Sequence, residues 1–221
     1  MAGGVFGGSL YFFTENTALG ITQASNVAFI ICTAPLLTTI LSLLFYKSEK
    51  ATKGLIHGSL LALIGVGLVV FNGSVVLKLS PVGDLLTLLA ALSWAFYSLV
   101  IKRMTGRYPT VFITRKIFFY GVLTILPAFL LHPLQPDFDV LVQPLVLSNL
   151  LFLAVLASLI CYILWNVVLK QLGTMRASNY IYLNPLVTMV ASVLILHEQI
   201  TWITLMGAAC IILGVYLAEK K

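Results

Sequence analysis

Residues 147–169 have the sequence LSNLLFLAVLASLICYILWNVVL, which contains no charged side chain. A helix needs about 20 consecutive apolar residues to cross the hydrocarbon of a bilayer. The run does not alternate apolar with polar residues, as a strand of a membrane β-barrel would. Because backbone groups in lipid must pair within their own segment, this stretch predicts a transmembrane α-helix.

Similar runs fill the rest of the chain. Of its 221 residues, 60% are hydrophobic and only 9% are charged, whereas soluble domains carry roughly 25% charged residues. The composition therefore predicts an all-α polytopic membrane protein of about eight transmembrane helices, with the lipid bilayer as its surroundings. The predicted spans are 3–20, 26–46, 54–72, 83–101, 112–131, 147–169, 177–196 and 201–218.

The charge of the chain is distributed unevenly between the loops. The net charge is +6, but the cations lie in short clusters between apolar runs and not along a basic face, which argues against nucleic-acid binding. Alternating the loops across a membrane brings twelve of the thirteen Lys and Arg residues to one side, and Lys78 alone to the other. The positive-inside rule assigns the basic side to the cytoplasm. We expect a multi-pass protein of the cell (inner or plasma) membrane with both termini cytoplasmic.

Several short motifs recur after about 150 residues, which indicates an internal repeat. The motif Asn16-x-x-Leu19 returns as Asn166-x-x-Leu169, and Pro35-Leu36 returns as Pro185-Leu186. A third series keeps its internal spacing in both copies: Glu49, Thr52, Gly58 and Gly65 in the first, and Glu198, Thr201, Gly207 and Gly214 in the second.

The two copies begin five predicted spans apart. Five is an odd number, so the second copy enters the membrane upside down relative to the first. Inverted repeats are typical of secondary transporters, whose substrate site lies between the halves near the midplane. We predict a partial first repeat of three helices over residues 1–73 and a second repeat of five helices over residues 81–221.

The ordered set of motifs resembles the EamA-like permeases of the drug/metabolite transporter superfamily. The motifs that carry this resemblance are Thr22-Gln23-Ala24-Ser25, Pro35, Ser93-Trp94-Ala95-Phe96-Tyr97, Tyr162-Ile163-Leu164-Trp165-Asn166 and Pro185. The resemblance implies ten helices in two inverted five-helix repeats, and ATP-independent transport of metabolites, amino acids or drugs. Compared with that pattern, we expect the chain to lack the first two helices.

Glu15 is the first candidate for a solute-cavity residue, since it is the only acidic residue placed within a span and away from its ends. An ionisable group in hydrocarbon costs at least about 2.5 kcal/mol, so it should face protein or water. Three interpretations stay open. Glu15 contacts a cation or couples protons in a cavity, reaches water at the outer interface, or pairs structurally with a neighbour.

The other candidates are polar or aromatic residues in the spans. Asn16 and Asn166 are predicted either to hydrogen-bond the solute or to join helices, with equal weight. An aromatic and partly polar cavity wall is predicted from a further set: Trp94, Tyr97, Tyr162, Trp165, Tyr182 and Asn184.

Prolines, threonines and glycines in the spans have predicted structural roles. Pro35 and Pro185 should kink their helices, and the kink would shape the cavity. Thr52 and Thr201 should cap helix starts, each with a glutamate (Glu49 or Glu198) three residues before it. The glycines of the third and eighth spans should let helices approach closely.

The sequence favours a secondary transporter that moves a small metabolite, amino acid or drug-like solute by alternating access. The alternative is a truncated, non-transporting membrane protein that acts as a fragment or an interaction partner. No Walker loop, HExxH or GxSxG motif occurs, so we expect neither an enzyme nor a cofactor or metal site. The sequence is also compatible with a homodimer.

Overall fold

The structure is a computed structural model that describes residues 1–46, 50–71, 80–131, 138–196 and 201–220. Its described part is helical throughout, in agreement with the predicted all-α class. The α-helices, in chain order, are α1 (Ala2–Gly4), α2 (Leu10–Ile21), α3 (Ala24–Ile31), α4 (Ala34–Phe45), α5 (Lys53–Phe71), α6 (Pro81–Thr105), α7 (Thr110–Leu131), α8 (Phe138–Leu141), α9 (Pro144–Leu151), α10 (Cys161–Leu172), α11 (Thr174–Asn179), α12 (Asn184–Leu196) and α13 (Trp202–Glu219).

Within the described residues, six helical stretches are long and apolar enough to cross a membrane. They are Ala24–Phe45, Lys53–Phe71, Pro81–Thr105, Thr110–Ala128, Pro144–Leu172 and Trp202–Glu219. They correspond to six of the eight predicted spans. The other two predicted spans, 3–20 and 177–196, are also helical but differ from a plain apolar α-helix. Glu15 and Asn16 lower the hydropathy of the first, and a 3-10 turn interrupts the second.

Irregular backbone recurs at equivalent places in the two halves of the chain. A π-helical stretch joins α1 to α2 (Val5–Ser9), and another joins α9 to α10 (Phe152–Ile160). α3 and α4 are separated by a turn, and α11 and α12 by a 3-10 turn (Tyr180–Leu183). Single π turns are rare in α-helices and often mark functional positions.

Pro35 and Pro185 each lie at the start of the half-helix that follows one of these interruptions. Proline is well suited to the first helical turn, where its missing N–H group has no partner to lose. The regular α-helical pattern is therefore interrupted immediately before each proline, although Ala24–Phe45 remains one continuous helical stretch.

α5 and α13 pack face to face through glycines, and these are the glycines that were expected to allow close helix approach. A Cβ atom added to Gly65 would lie 2.6 Å from the carbonyl oxygen of Gly207, and one added to Gly214 would lie 2.6 Å from that of Gly58. The start of α5 thus meets the end of α13, and the reverse, so the two helices are antiparallel. Because only a glycine fits at these contacts, the backbones touch directly.

The cap residues of α5 and α13 were also predicted correctly. The Thr52 hydroxyl accepts a hydrogen bond from the Leu55 amide at 3.1 Å, and the Thr201 hydroxyl accepts one from the Thr204 amide at 3.2 Å. Side-chain oxygens of this kind satisfy amides that the first turn of a helix leaves without a partner. The predicted partners Glu49 and Glu198, and the isolated cation Lys78, lie outside the described residues.

α6 is the long helix against which α2, α3 and α4 pack. Its buried residues include the small side chains Ala90, Ala91 and Ala95, which let these neighbours approach. Its ends are suited to a helix: Pro81 and Asp84 lie in the first turn, and the last turn carries basic side chains that favour the negative end of the helix dipole.

Candidate solute cavity

A cavity of about 610 Å³ opens between helices from the two ends of the chain. This volume lies within the range of small-molecule sites. One wall comes from α2, α3 and α5, and the other from α12 and α13. The lining residues are Tyr11, Glu15, Leu19, Ala24, Ser25, Val27, Ala28, Ile31, Cys32, Val69, Val70, Asn184, Pro185, Thr188, Met189, Val193 and Thr204.

Glu15 and Tyr11 form a hydrogen-bonded pair on the α2 side of the cavity. The Tyr11 hydroxyl donates to Glu15 Oε1 at 2.9 Å. The two residues are four positions apart, so they lie on the same face of α2 one turn from each other. Both side chains are half-buried. Within the part of the chain that the structure describes, the second carboxylate oxygen of Glu15, Oε2, accepts no hydrogen bond from a side chain.

α12 contributes polar groups to the opposite wall. Asn184 and Thr188 are four residues apart at its start, and both side chains are exposed. The Thr188 hydroxyl donates to the carbonyl oxygen of Asn184 at 3.1 Å, so its oxygen can still accept a hydrogen bond. Most of the remaining lining is aliphatic, which gives the cavity a largely apolar surface with a few polar points.

An aromatic cluster lies behind the α2 wall and supports it. The ring of Trp94 is 5.1 Å from that of Tyr11, 5.1 Å from Tyr97, 5.8 Å from Tyr162 and 5.6 Å from Trp165. Such distances are typical of favourable ring contacts. The Tyr162 hydroxyl also donates to the carbonyl oxygen of Gly7. Trp94 therefore connects the cavity residue Tyr11 to the packed interior.

A buried polar network joins α6, α7 and α10 next to this cluster. The Tyr97 hydroxyl donates to Asn166 Oδ1 at 2.8 Å, and Asn166 Nδ2 donates to the Thr114 hydroxyl at 3.0 Å. Thr114 in turn donates to the carbonyl oxygen of Thr110 at 3.0 Å. All three side chains are almost completely buried, so Asn166 serves here to join helices.

Comparison with known proteins agrees with this architecture. The EamA-like transporter family matches residues 1–71 and 81–219, which is nearly the whole chain. The chain belongs to the EamA-like transporter family. Membership makes it a multi-pass membrane transporter and confirms the resemblance drawn from the motifs.

Relatives of this EamA-like transporter carry transport names. An uncharacterized transporter of Archaeoglobus fulgidus is 28% identical and covers 97% of this chain and 73% of its own length. The uncharacterized transporter YyaM of Bacillus subtilis is 30% identical over 98% of this chain and 70% of its own. A probable amino-acid metabolite efflux pump of Salmonella typhimurium is 29% identical over 78% of this chain and 60% of its own length.

A solved crystal structure shares the fold. It aligns with a TM-score of 0.80, at 21% sequence identity, over 98% of this chain and 73% of that chain. At this level of identity the likeness concerns the arrangement of helices alone.

The structure distributes the predicted site residues of this EamA-like transporter over three places. Glu15, Asn184 and Pro185 line the cavity. The second group forms the aromatic cluster and the polar network behind the wall, and it comprises Trp94, Tyr97, Tyr162, Trp165 and Asn166. The third group lies elsewhere, since Asn16 is exposed on α2, Pro35 is buried in α4, and Tyr182 packs with Cys32 and Ala62.

Among the cavity residues that the sequence did not single out, Tyr11 and Thr188 each had a signal. Tyr11 is four residues before Glu15, so helical spacing alone would have placed it beside the carboxylate. Thr188 is four residues after Asn184, and it also recurs in the repeat as the partner of Thr38. Each of the two residues lies one helical turn from a residue that the sequence had already assigned to the cavity, so this spacing could have predicted both.

Proposed function

We propose that this EamA-like transporter is a secondary transporter that carries a small solute through the cavity by alternating access. The observation that carries the proposal is the origin of the cavity walls. Tyr11 and Glu15 come from the first predicted repeat, and Asn184 and Thr188 come from the second. A solute held between them would be released to either side as the two halves rock against each other.

The inverted relation of residues 1–73 and 81–221 is part of the proposal, and the α5–α13 contact supports it. Gly58 and Gly65 correspond in the repeat to Gly207 and Gly214, yet Gly58 meets Gly214 and Gly65 meets Gly207. A reciprocal contact of this kind arises when a two-fold axis runs perpendicular to both helices. For helices that span a membrane, such an axis lies in the membrane plane, as in inverted repeats.

Flux through purified protein tests the proposed function. We expect the chain, reconstituted in liposomes, to give saturable uptake of at least one solute from a panel of amino acids, amines and sugars. The variant A28W would fill the cavity and abolish this uptake, because Ala28 lines it. The matched variant A209W places the same side chain on an exposed position of α13 outside the cavity and should retain uptake.

The alternative of a non-transporting membrane protein gives a different result in the same assay. Folded protein that moves no solute of the panel above the rate of empty liposomes would contradict the transport proposal. Equal uptake by A28W and wild type would show that transport does not use this cavity.

A further inference from the structure

The described lining of the cavity contains one acidic side chain and no basic one. Glu15 is the only carboxylate among the described lining residues, and none of these residues is Lys, Arg or His. The remaining polar lining, such as Ser25, Asn184 and Thr188, is neutral. A solute carboxylate or phosphate would therefore find no cation to pair with in the described lining.

A carboxylate in a largely apolar cavity discriminates strongly between solutes of different charge. The attraction between opposite charges increases as the surroundings become less polar than water, and so does the repulsion between like charges. A neutral solute would gain a hydrogen bond to Glu15 but no charge pairing. A cationic solute gains both, because its ammonium group donates the hydrogen bond and also carries the charge opposite to that of the carboxylate.

The surroundings of Glu15 favour an organic cation over a hydrated metal ion. The ring of Tyr11 lies in the cavity wall beside Glu15, and Trp94 packs against it at 5.1 Å. Aromatic faces attract ammonium groups. The lining beyond them is aliphatic, including Ile31, Val69 and Met189, and would accept an apolar body.

We infer that the transported solute is an amphipathic organic amine, in which an ammonium group pairs with Glu15 and an uncharged apolar body occupies the aliphatic part of the cavity. This inference rests on the proposed function, because it identifies the solute class of the same cavity. It excludes solutes that carry a net negative charge.

Binding of three indole compounds of similar size tests the inference. Tryptamine carries an ammonium group, tryptophol an alcohol and indole-3-propionate a carboxylate at neutral pH. Calorimetry on the full chain in lipid nanodiscs should give a Kd for tryptamine at least about tenfold lower than for tryptophol, a difference of about 1.4 kcal/mol. No binding of indole-3-propionate is expected.

Two Glu→Gln variants supply the matched comparison. Glu15→Gln should raise the Kd for tryptamine to that for tryptophol. Glu219 also accepts a hydrogen bond from a tyrosine, Tyr180, but it lies at the exposed end of α13 and outside the cavity. Glu219→Gln should therefore leave the Kd unchanged.

The outcomes separate this inference from the proposed function. The inference about the solute class would be overturned if tryptophol bound as tightly as tryptamine, or if Glu15→Gln left tryptamine binding unchanged. In either case, saturable flux of another solute would leave the transport proposal intact. Absence of tryptamine binding from folded protein would also overturn it. Absence of both binding and flux for the whole panel would overturn both proposals.

Discussion

Asn16 and Asn166 occupy equivalent positions of the predicted repeat but have different surroundings. Asn166 is fully buried and hydrogen-bonds both Tyr97 and Thr114. Asn16 is exposed, and its Nδ2 donates to the carbonyl oxygen of Phe12 in its own helix at 2.8 Å. Asn166 thus joins helices, whereas Asn16 bonds within its own helix, and neither is among the described residues that line the cavity.

Replacing these two asparagines should therefore affect stability very unequally. Asn166→Ala leaves the Tyr97 hydroxyl without its buried acceptor, so we expect a loss of about 1–2 kcal/mol in the free energy of unfolding. Asn16→Ala removes a bond within one exposed helical turn and should cost less than about 0.5 kcal/mol. Unfolding in detergent measures both. A larger loss for Asn16→Ala would contradict the network described here.

At the scale of elements, the α5–α13 contact depends on the absence of side chains at its glycines. A Cβ atom at Gly65 would lie 2.6 Å from a backbone oxygen of α13, and backbone atoms move only if the helices separate. Gly20, near the end of α2, has no atom within 4 Å of the corresponding position. The two sites form a matched pair for the same substitution.

We expect Gly65→Ala to lower the free energy of unfolding by about 1–3 kcal/mol, as overpacking does in other cores. Gly20→Ala should be neutral or stabilise the protein by up to about 1 kcal/mol, because alanine favours helix more than glycine. Thermal unfolding of the purified variants is the measurement. Equal midpoints for the two variants would mean that α5 and α13 do not touch at Gly65.

The helices and their caps could be predicted from the sequence, but the interruptions of the helices and most of the cavity could not. Apolar runs were enough to predict the helices, and the spaced threonines and glycines predicted caps and close contacts correctly. Pro35 predicted a disturbance of the helix over residues 26–46, but the composition of this apolar run did not show that the disturbance takes the form of a turn at residues 32–33. The cavity was located only in part. Trp94 and Asn166 were chosen as lining residues because one is aromatic and the other polar, but both pack in the interior behind the cavity wall. Only the three-dimensional arrangement of the helices shows this difference.

At the scale of the whole molecule, the loop charges predict how the chain is oriented in the membrane. Twelve of its thirteen cations fall on one predicted side, so both termini should face the cytoplasm. Green fluorescent protein fused after Lys221 should then fluoresce. Alkaline phosphatase fused after Gln143, between the fifth and sixth predicted spans, should be active because that loop lies outside. The opposite pattern would reverse the assigned orientation.

Accessibility of the cavity from each side of the membrane tests the account most directly. Thr188 lines the cavity in the middle of the seventh predicted span, and a cysteine there can be examined once Cys32, Cys161 and Cys210 are replaced by serine. Ala209→Cys in the same background is the control, at an exposed position of α13 outside the cavity. A membrane-impermeant thiol reagent is applied to vesicles of either orientation. We predict that the cysteine at position 188 reacts from both sides and that the one at position 209 reacts from neither. Reaction of position 188 from one side only, whatever solute is present, would contradict alternating access through this cavity.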